Sequence, residues 1–259
     1  MTATSKSAQA VEAVGEASQV SAVALSLIVP AFDEEANLRP LYERVLHTFG
    51  ARSDWELVVV DDGSRDGTAR VMRELAREDA RVVGVFLEKN CGQTAALAAG
   101  IREARGGEVA TLDADLQNDP ADLPALLALL PGNDAVVGYR MRRRDTFVRR
   151  ASSRIANWVR NRISGDQIRD TGCSLKVFRA EALEAIPWFE GMHRFLPTLL
   201  RYQGFRVVEA PVSHHARHAG NSKYGIRNRA WRAFKDLLAV RWMRERMLRS
   251  KVREVLRAR

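Results

Sequence analysis

The sequence predicts an α/β fold, in which helices cover both faces of a mostly parallel sheet. Short apolar runs rich in β-branched residues alternate with segments whose apolar residues recur at helical spacing. This alternation is typical of strands joined by helical crossovers, which build parallel sheets covered on both sides. The length of 259 residues suits one large domain, and a hydrophobic share of 46% is that of an ordinary globular protein.

The predicted elements follow one another in a regular order. The first five strands are Leu25 to Val29, Leu57 to Val60, Val82 to Leu87, Val109 to Leu112 and Ala135 to Gly138. The helices between them are Ala36 to Phe49, Gly67 to Arg77, Thr94 to Ala104 and Leu123 to Leu130. Later helices are predicted at Ile155 to Ile163, Ala180 to Ile186 and Arg194 to Gln203, and later strands at Ser174 to Phe178 and Phe205 to Glu209.

The chain is expected to have three parts: an unstructured leader at residues 1–23, an α/β domain at 24–224 and a helical tail at 225–259. The two cysteines, Cys91 and Cys173, lack CxxC spacing, so we expect a reducing, cytoplasmic environment. The apolar run from Val20 to Val29 is far shorter than the roughly 20 residues of a membrane-spanning helix. We therefore interpret it as the entry to the first strand.

Acidic residues follow three of the predicted strands directly. They are Asp33, Glu34 and Glu35 after the first strand, Asp61 and Asp62 after the second, and Asp113 and Asp115 after the fourth. Ligands bind beyond the carboxyl ends of strands in such sheets, so the three clusters are predicted to line one crevice. Asp and Ser are also ordinary turn and N-cap residues, and we assign only that role to Asp66 and Asp119.

The stretch LDADLQNDP at residues 112–120 carries hard oxygen ligands in close succession. The carboxylates of Asp113 and Asp115 and the amide of Gln117 suit Mg²⁺ or Mn²⁺. Such an ion keeps coordination positions open for phosphate oxygens, so a nucleotide diphosphate is its natural companion. The sequence therefore predicts a metal and nucleotide site at the end of the fourth strand.

Four segments together resemble a known enzyme family. They are PAFDEE at residues 30–35, DDGS at 61–64, NCGQ at 90–93 and LDADLQ at 112–117. In these segments the chain is similar to family 2 glycosyltransferases with a GT-A fold, and within them to dolichyl-phosphate mannose synthase and its bacterial polyprenyl-phosphate relatives. LDADLQ is the most specific segment, whereas DDGS indicates only the broader family. The resemblance covers residues 24–224 and implies sugar transfer from a nucleotide-sugar to polyprenyl phosphate at the cytoplasmic membrane face.

The resemblance also implies roles for individual positions. The nucleotide-sugar pocket would be lined by Pro30, Ala31, Asp33, Glu35, Asp61, Asp62, Asp113, Ala114 and Asp115. The metal ligands would be Asp113, Asp115 and Gln117. Arg140, at the end of the fifth strand, and Lys223, in an NSKY segment, would contact phosphate groups.

The acceptor side is predicted from a basic stretch that begins at Arg140. We expect at least one of Arg149, Arg150 and Arg154 to contact the acceptor phosphate, with a solvated basic loop as the alternative. A monoalkyl phosphate has a second pKa of about 6, so this acceptor is already a nucleophile and hardly needs a general base. A hydroxyl acceptor would need one, for which the candidate is Asp170, with a turn residue as the alternative reading.

A histidine run at residues 214–218 offers a further candidate. His214, His215 and His218 form HHxxH, which can add a late metal ligand, although such residues more often lie on the surface. Zinc hydrolysis is disfavoured because the run lacks the glutamate of HExxH.

The net charge of +9 resides in the tail, where residues 225–259 carry twelve Lys and Arg against three Asp and Glu. Trp231, Phe234, Leu238 and Trp242 are predicted to share one helical face. A basic helix with such a face suits an anionic membrane surface, while packing on the domain or in an oligomer remains the alternative. Nucleic acid is disfavoured because no recognised nucleic-acid module accompanies the charge.

Two other functions are compatible with the sequence. One is a family 2 transferase that acts on a saccharide or protein hydroxyl, and the other is a non-catalytic membrane adaptor that keeps the fold. The intact acidic set disfavours the adaptor.

Overall fold

A seven-stranded sheet forms the centre of the computed structural model, which describes residues 23–141, 160–215 and 226–247, with side chains from Phe234 onward in the last range. The strands are β1 (Leu25–Ala31), β2 (Trp55–Asp61), β3 (Val82–Phe86), β4 (Glu108–Thr111), β5 (Ala135–Arg140), β6 (Lys176–Arg179) and β7 (Val207–Val212). They lie in the order β3-β2-β1-β4-β6-β5-β7. Only β6 is antiparallel to its neighbours among these strands, so the predicted mostly parallel sheet is confirmed.

The helices of the described residues fall between the strands, except for the last helix, which follows β7. They are α1 (Glu35–Phe49), α2 (Thr68–Glu78), α3 (Gln93–Glu103), α4 (Leu123–Ala128), α5 (residues 160–164), α6 (Ala180–Glu184), α7 (Leu196–Tyr202) and α8 (Ile226–Arg246). Two short 3-10 turns, η1 (Pro120–Asp122) and η2 (Met192–Arg194), precede α4 and α7.

The largest shift from prediction is at the last strand, which we expected at Phe205 to Glu209. The observed β7 runs from Val207 to Val212 and includes Pro211, which has no N–H to donate to a neighbouring strand. Within the described sheet β7 is an edge strand that pairs with β5 alone, and an edge position tolerates proline.

The core has two layers because successive residues of each strand point to opposite faces. In β1, Leu27 and Val29 pack in the layer that contains α1, α2 and α4. Ile28 packs in the other layer, with α3, α7 and one face of α8. Both faces of the sheet are therefore covered, which explains why its strands are apolar almost throughout.

The reversed direction of β6 determines which strand ends lie at the same edge of the sheet. Lys176, its first residue, lies opposite Thr111, the last residue of β4, and also opposite Val137 of β5. The carboxyl ends of β4 and β5 and the beginning of β6 therefore share one edge of the sheet. Arg140 ends β5 at this edge, and the turn that carries Asp113 and Asp115 follows β4 there.

The tail helix packs with a different face from the one that the sequence emphasised. Leu237 and Val240 are buried in the second core layer. Phe234, Leu238 and Trp242 are 39%, 46% and 60% exposed on its outer side. No helix of the described residues is long and apolar enough to cross a membrane.

Candidate active site

The three acidic clusters meet at one edge of the sheet, as predicted. β1 pairs in parallel with β2, where Ala31 lies opposite Asp61, and with β4 on its other side. The three strands therefore end together, and the loops that follow them border one crevice. Pro30 and Ala31, predicted to line the nucleotide pocket, are the last two residues of β1.

The loops after β1 and β2 are joined by their own polar side chains. The Asp33 carboxylate accepts a hydrogen bond from the Arg65 N–H at 2.8 Å, and the Asp33 N–H donates to Ser64 Oγ at 2.9 Å. Asp61 accepts from the Ser64 N–H at 2.9 Å. Asp33 has a φ of 52°, a left-handed conformation that costs on the order of 1–3 kcal/mol in a residue other than glycine. These bonds fix the shape of the predicted nucleotide pocket.

Glu35 and Asp66 extend this connection to the beginning of α2. Glu35 accepts from the Gly67 N–H at 3.0 Å and from Arg70 Nη2 at 2.7 Å. Asp66 accepts from the Thr68 N–H at 3.0 Å, which is the turn role that we predicted for it. Glu35 therefore has a structural role beside its predicted role in the nucleotide pocket.

Asp62 ties the β2 loop to the loop before α3. Its carboxylate accepts from the Cys91 N–H at 2.7 Å and from the Gly92 N–H at 2.9 Å. Burial raises the pKa of Asp62, and the two N–H donors oppose that rise. Gly63 is required beside it, since its φ is 69° and a Cβ there would approach the Asn90 nitrogen to 2.6 Å.

The turn after β4 presents the predicted metal ligands. Leu116 has a φ of 61°, which bends the chain sharply between Asp115 and Gln117. Asp115 Oδ1 accepts from the Gln117 N–H at 3.1 Å. Asp119 caps the following 3-10 turn by accepting from the Ala121 N–H at 3.0 Å, the turn role predicted for it. Ala114, between the two carboxylates, is buried.

The two carboxylates of this turn influence each other electrostatically. Burial raises the pKa of Asp113, and the neighbouring charge of Asp115 raises it further. The Gln93 side-chain amide donates to Asp113 Oδ1 at 2.9 Å. A hydrogen bond with Ser174 and the charges of Lys176 and Arg140 oppose part of the rise in the pKa of Asp113. Two like charges at a strand end, in a partly desolvated site, fit a divalent cation.

The side chains at this turn could supply only part of the coordination of a metal ion. The described residues contain no group of three or more His, Cys, Asp or Glu side chains able to hold a metal. Asp113 and Asp115 would supply two hard ligands, with the Gln117 amide next in the same turn. Diphosphate oxygens and water would complete the octahedral coordination of Mg²⁺ or Mn²⁺.

Arg140 and Asp170, predicted separately as phosphate ligand and candidate base, are paired with each other. Arg140 Nε donates to Asp170 Oδ2 at 2.7 Å and Arg140 Nη2 to Asp170 Oδ1 at 2.9 Å. The Gly172 N–H also donates to Asp170 Oδ1 at 3.2 Å, so the residue stabilises a turn as well. This forked pair holds the guanidinium at the edge of the sheet where β4 and β5 end.

A small cavity beside Asp113 contains basic residues that the sequence did not single out. Its volume is about 100 Å³, and its walls include Gln93, Asp113, Lys176, His193 and Arg194. We call it the basic pocket. Lys176 is 4% exposed, donates to the Cys173 carbonyl, and has its pKa lowered by burial. Its polar character was hidden by its position in an apolar strand.

The histidine run reaches the metal turn through its main chain. The His215 N–H donates to the Gln117 carbonyl at 2.9 Å, and His215 Nε2 lies 3.6 Å from Asp119 Oδ2. The residues after β7 therefore support the turn that carries Asp115 and Gln117. His218 lies outside the described residues, as do the predicted acceptor ligands Arg149, Arg150, Arg154 and Lys223.

A family model described as "Glycosyl transferase family 2" matches residues 26–186 of this chain. The chain belongs to glycosyl transferase family 2. The family predicted from the sequence motifs is thereby confirmed.

Curated relatives extend the similarity beyond the matched segment. A dodecaprenyl-phosphate galacturonate synthase from Rhizobium johnstonii is 43% identical over 85% of this chain and 67% of its own length. An undecaprenyl-phosphate 4-deoxy-4-formamido-L-arabinose transferase from Edwardsiella ictaluri is 38% identical over 78% of this chain and 63% of its own length. The chain thus spans about two thirds of the length of the relatives that it matches.

Solved structures confirm the predicted GT-A-like fold. One is a glucosyl-3-phosphoglycerate synthase from Mycobacterium tuberculosis, solved in complex with Mn²⁺, UDP and phosphoglyceric acid. The match covers 86% of this chain and 78% of the synthase chain, with a TM-score of 0.65 and 18% sequence identity. Another is a mannosyltransferase from Pyrobaculum calidifontis, solved in complex with GDP-Man and Mn²⁺. The match covers 88% of this chain and 65% of the mannosyltransferase chain, with a TM-score of 0.61 and 23% sequence identity.

Proposed function

We propose that this chain transfers a sugar from a nucleotide-sugar to a polyprenyl phosphate, with inversion at the anomeric carbon. The observation that carries the proposal is the pair of coupled carboxylates, Asp113 and Asp115, beside the connected loops of β1 and β2. The acceptor class is supported by the names of two relatives, a dodecaprenyl-phosphate synthase and an undecaprenyl-phosphate transferase.

The donor lies with its nucleoside toward β1 and β2 and its diphosphate at β4. Pro30, Ala31, Asp33, Glu35, Asp61 and Asp62 would border the nucleoside, and Asp113, Ala114 and Asp115 the diphosphate. Asp113, Asp115 and Gln117 would hold Mg²⁺ or Mn²⁺, which supplies positive charge to the departing nucleoside diphosphate. The fixed loops position the donor without rearranging during the reaction.

The transfer itself needs little proton chemistry. An oxygen of the largely dianionic acceptor phosphate forms a bond to the anomeric carbon, on the face opposite the nucleotide. The bond from that carbon to the donor phosphate oxygen breaks, and its electron pair leaves with the nucleoside diphosphate. One displacement on the opposite face inverts the configuration.

Arg140 is proposed to bind the acceptor phosphate together with Arg149, Arg150, Arg154 and Lys223. The forked contact with Asp170 holds the Arg140 guanidinium in one orientation at the correct edge of the sheet. With a phosphate acceptor, Asp170 then acts as a positioning residue. It would serve as a general base only for a hydroxyl acceptor.

The tail is proposed to bring the enzyme to the inner face of the cell membrane. Phe234, Leu238 and Trp242 follow one another at helical spacing on the exposed side of α8, and the tail sequence around them is strongly basic. An anionic lipid surface complements both properties, since aromatic side chains insert at the interface and cations bind headgroups.

The test is direct product analysis. Purified protein is incubated with a panel of nucleotide-sugars, Mg²⁺ or Mn²⁺, and a short polyprenyl phosphate, with the matching polyprenol as control, and the lipids are weighed by mass spectrometry. We expect the polyprenyl phosphate to gain one sugar and the polyprenol none. Transfer to a glycan or protein hydroxyl, with the polyprenyl phosphate left unmodified, would contradict the proposal.

A further inference from the structure

A second cavity lies between α5 and the last turns of α8, and we call it the α5–α8 cleft. Its volume is about 600 Å³, which is enough for a small organic ligand. Its described walls are Arg162, Ile163, Arg241, Arg244, Glu245 and Met247. None of these residues lines the basic pocket beside Asp113, so the cleft is a separate candidate binding site.

The described walls of the α5–α8 cleft carry an excess of positive charge. Three guanidinium groups line it against one carboxylate, that of Glu245, which accepts a hydrogen bond from Arg241 Nε at 3.3 Å. Arg162 is exposed, and no hydrogen bond or ion pair joins it to another described residue. The cleft therefore complements a ligand with a negative charge.

Arg244 is held in place in the cleft by α5 and α7. Its Nη1 donates to the Ser164 carbonyl at 3.2 Å, and its guanidinium lies 5.6 Å from the centroid of the Tyr202 ring. Gly165 permits this close approach, since its φ is 65° and a Cβ there would lie 1.9 Å from Arg244 Nη1. A guanidinium that is already fixed loses little conformational entropy when it binds an anion.

The α5–α8 cleft borders the exposed apolar side chains of α8. Leu238, Arg241, Trp242 and Glu245 follow one another at spacings of three, one and three residues, so they share one side of the helix. Leu238 and Trp242 are exposed, whereas Arg241 and Glu245 line the cleft. An amphiphile with its phosphate in the cleft would therefore place its acyl chains beside Leu238 and Trp242.

We propose that the α5–α8 cleft binds the headgroup of an anionic phospholipid such as phosphatidylglycerol. Guanidinium groups bind phosphate oxygens through charge-assisted hydrogen bonds, and the neighbouring apolar side chains meet the acyl chains of the same lipid. This inference rests on the proposed membrane contact of the tail. It adds the chemical class of the lipid and a lipid-binding residue outside the tail, Arg162.

The test uses a lipid that dissolves as a monomer, which separates binding at one site from adsorption to a charged surface. The protein is titrated by calorimetry with dihexanoyl-phosphatidylglycerol below its micelle concentration, and with dihexanoyl-phosphatidylcholine and inorganic phosphate for comparison. We expect one phosphatidylglycerol per chain, bound about tenfold more tightly than either comparison ligand. Equal binding of the two lipids would overturn the selectivity for a negative charge, and equally tight binding of inorganic phosphate would show a site for free phosphate instead.

Arg162→Gln locates the site, because Arg162 lies on α5 and not in the tail. This variant should fold like wild type, since Arg162 is exposed, and should bind phosphatidylglycerol about fivefold more weakly. Arg162→Lys should retain most of the affinity because it keeps the positive charge. Arg77→Gln removes an exposed charge from α2, on the other face of the sheet, and should leave the affinity unchanged. Equal affinity in wild type and Arg162→Gln would overturn the inference.

The proposed function and this inference fail in different ways. Sugar transfer to a short polyprenyl phosphate in detergent should be the same in wild type and Arg162→Gln. A protein that binds phosphatidylglycerol through Arg162 but transfers no sugar to polyprenyl phosphate refutes the proposed function and leaves the lipid site intact. Displacement of phosphatidylglycerol by polyprenyl phosphate, together with a raised KM for that acceptor in Arg162→Gln, would show that the cleft holds the acceptor and would overturn the inference.

Discussion

A buried carboxylate lies at the amino ends of the parallel strands and a half-buried one at their carboxyl ends, and their surroundings differ. At the amino ends, Glu56 is fully buried and accepts hydrogen bonds from Ser26 Oγ at 2.6 Å, the Arg105 N–H at 2.7 Å and Arg105 Nε at 2.8 Å. At the carboxyl ends, Asp113 faces the charge of Asp115 and receives a hydrogen bond from the neutral Gln93 amide. The fold pairs the first carboxylate directly with Arg105, whereas burial and the charge of Asp115 raise the pKa of the second despite the attraction of Lys176 and Arg140.

This difference is the basis for interpreting Glu56 as a structural acid and for proposing Asp113 as a functional one. Glu56 joins β1, β2 and the segment before β4 through its partners Ser26 and Arg105. The acids at the opposite edge instead create an electrostatic cost, which metal and diphosphate would relieve. Burial of an acidic residue is therefore weak evidence for a site unless its partners are known.

Removal of the metal ligands should have the largest effect. We expect EDTA to abolish sugar transfer and Asp115→Asn to lower kcat/KM by at least about 100-fold, because the leaving diphosphate loses its cation. Asp119→Asn is the matched control, since asparagine is also a good N-cap and this variant should remain within about twofold of wild type. Activity that persists in EDTA and in Asp115→Asn would contradict the distinction between the two edges.

The free energy of unfolding should depend on the structural acid Glu56 more than on Asp113, which is the opposite of what we expect for activity. Glu56→Gln removes the charge of a buried carboxylate that accepts hydrogen bonds from Ser26 and Arg105, and it should lower the free energy of unfolding by about 1–3 kcal/mol. Asp113→Asn relieves the repulsion with Asp115, so the metal-free protein should keep or increase its stability. Urea denaturation without metal compares the two variants, and an equal loss in both would show that Asp113 is a structural acid like Glu56.

Asp170 provides an intermediate test. If it orients Arg140, Asp170→Asn should raise the KM for polyprenyl phosphate and lower kcat/KM by about tenfold, because one charged partner of the fork is lost. A general base would behave differently, with a fall in kcat of about 100-fold or more and little change in KM. Steady-state kinetics with the acceptor as the varied substrate distinguishes these outcomes.

The smallest effect is expected on the outer side of α8. Trp242→Ala should weaken binding to vesicles that contain anionic lipid by about threefold to tenfold, since part of the buried apolar area is lost. Leu129→Ala removes another exposed apolar side chain, far in sequence from the tail, and should leave vesicle binding unchanged. Co-sedimentation measures both, and equal binding by wild type and Trp242→Ala would remove α8 as the membrane contact.

The sequence correctly predicted that the three acidic clusters meet at one edge of the sheet, because its signals are local. Each acidic cluster directly follows an apolar strand, so the parallel topology alone brings Asp33, Asp61 and Asp113 to one edge. Lys176 was not predicted, since it lies between Leu175 and Val177 in what the pattern shows as an ordinary strand. Its position became evident only from the reversed direction of β6, which is a long-range property of the sheet.

The sequence could predict the tail helix only in part, for a similar reason. Periodicity correctly indicated a helix with Phe234, Leu238 and Trp242 on one face, but it could not tell which face the domain covers. That choice depends on Leu237 and Val240, which meet a core layer built by distant segments of the chain. The pairing of Arg140 with Asp170 likewise joins residues 30 positions apart, which no local pattern links.

The most direct test of the central claim is the thermal unfolding of the protein with and without Mn²⁺ and a nucleoside diphosphate. At ligand concentrations near 100 times Kd, binding to the folded state should raise the free energy of unfolding by about 2.7 kcal/mol. We expect Tm to rise by about 5 °C or more. The increase should disappear in Asp113→Asn and persist in Asp119→Asn. An unchanged Tm in wild type, or the same increase in wild type and Asp113→Asn, would contradict the assignment of these carboxylates to a metal and diphosphate site.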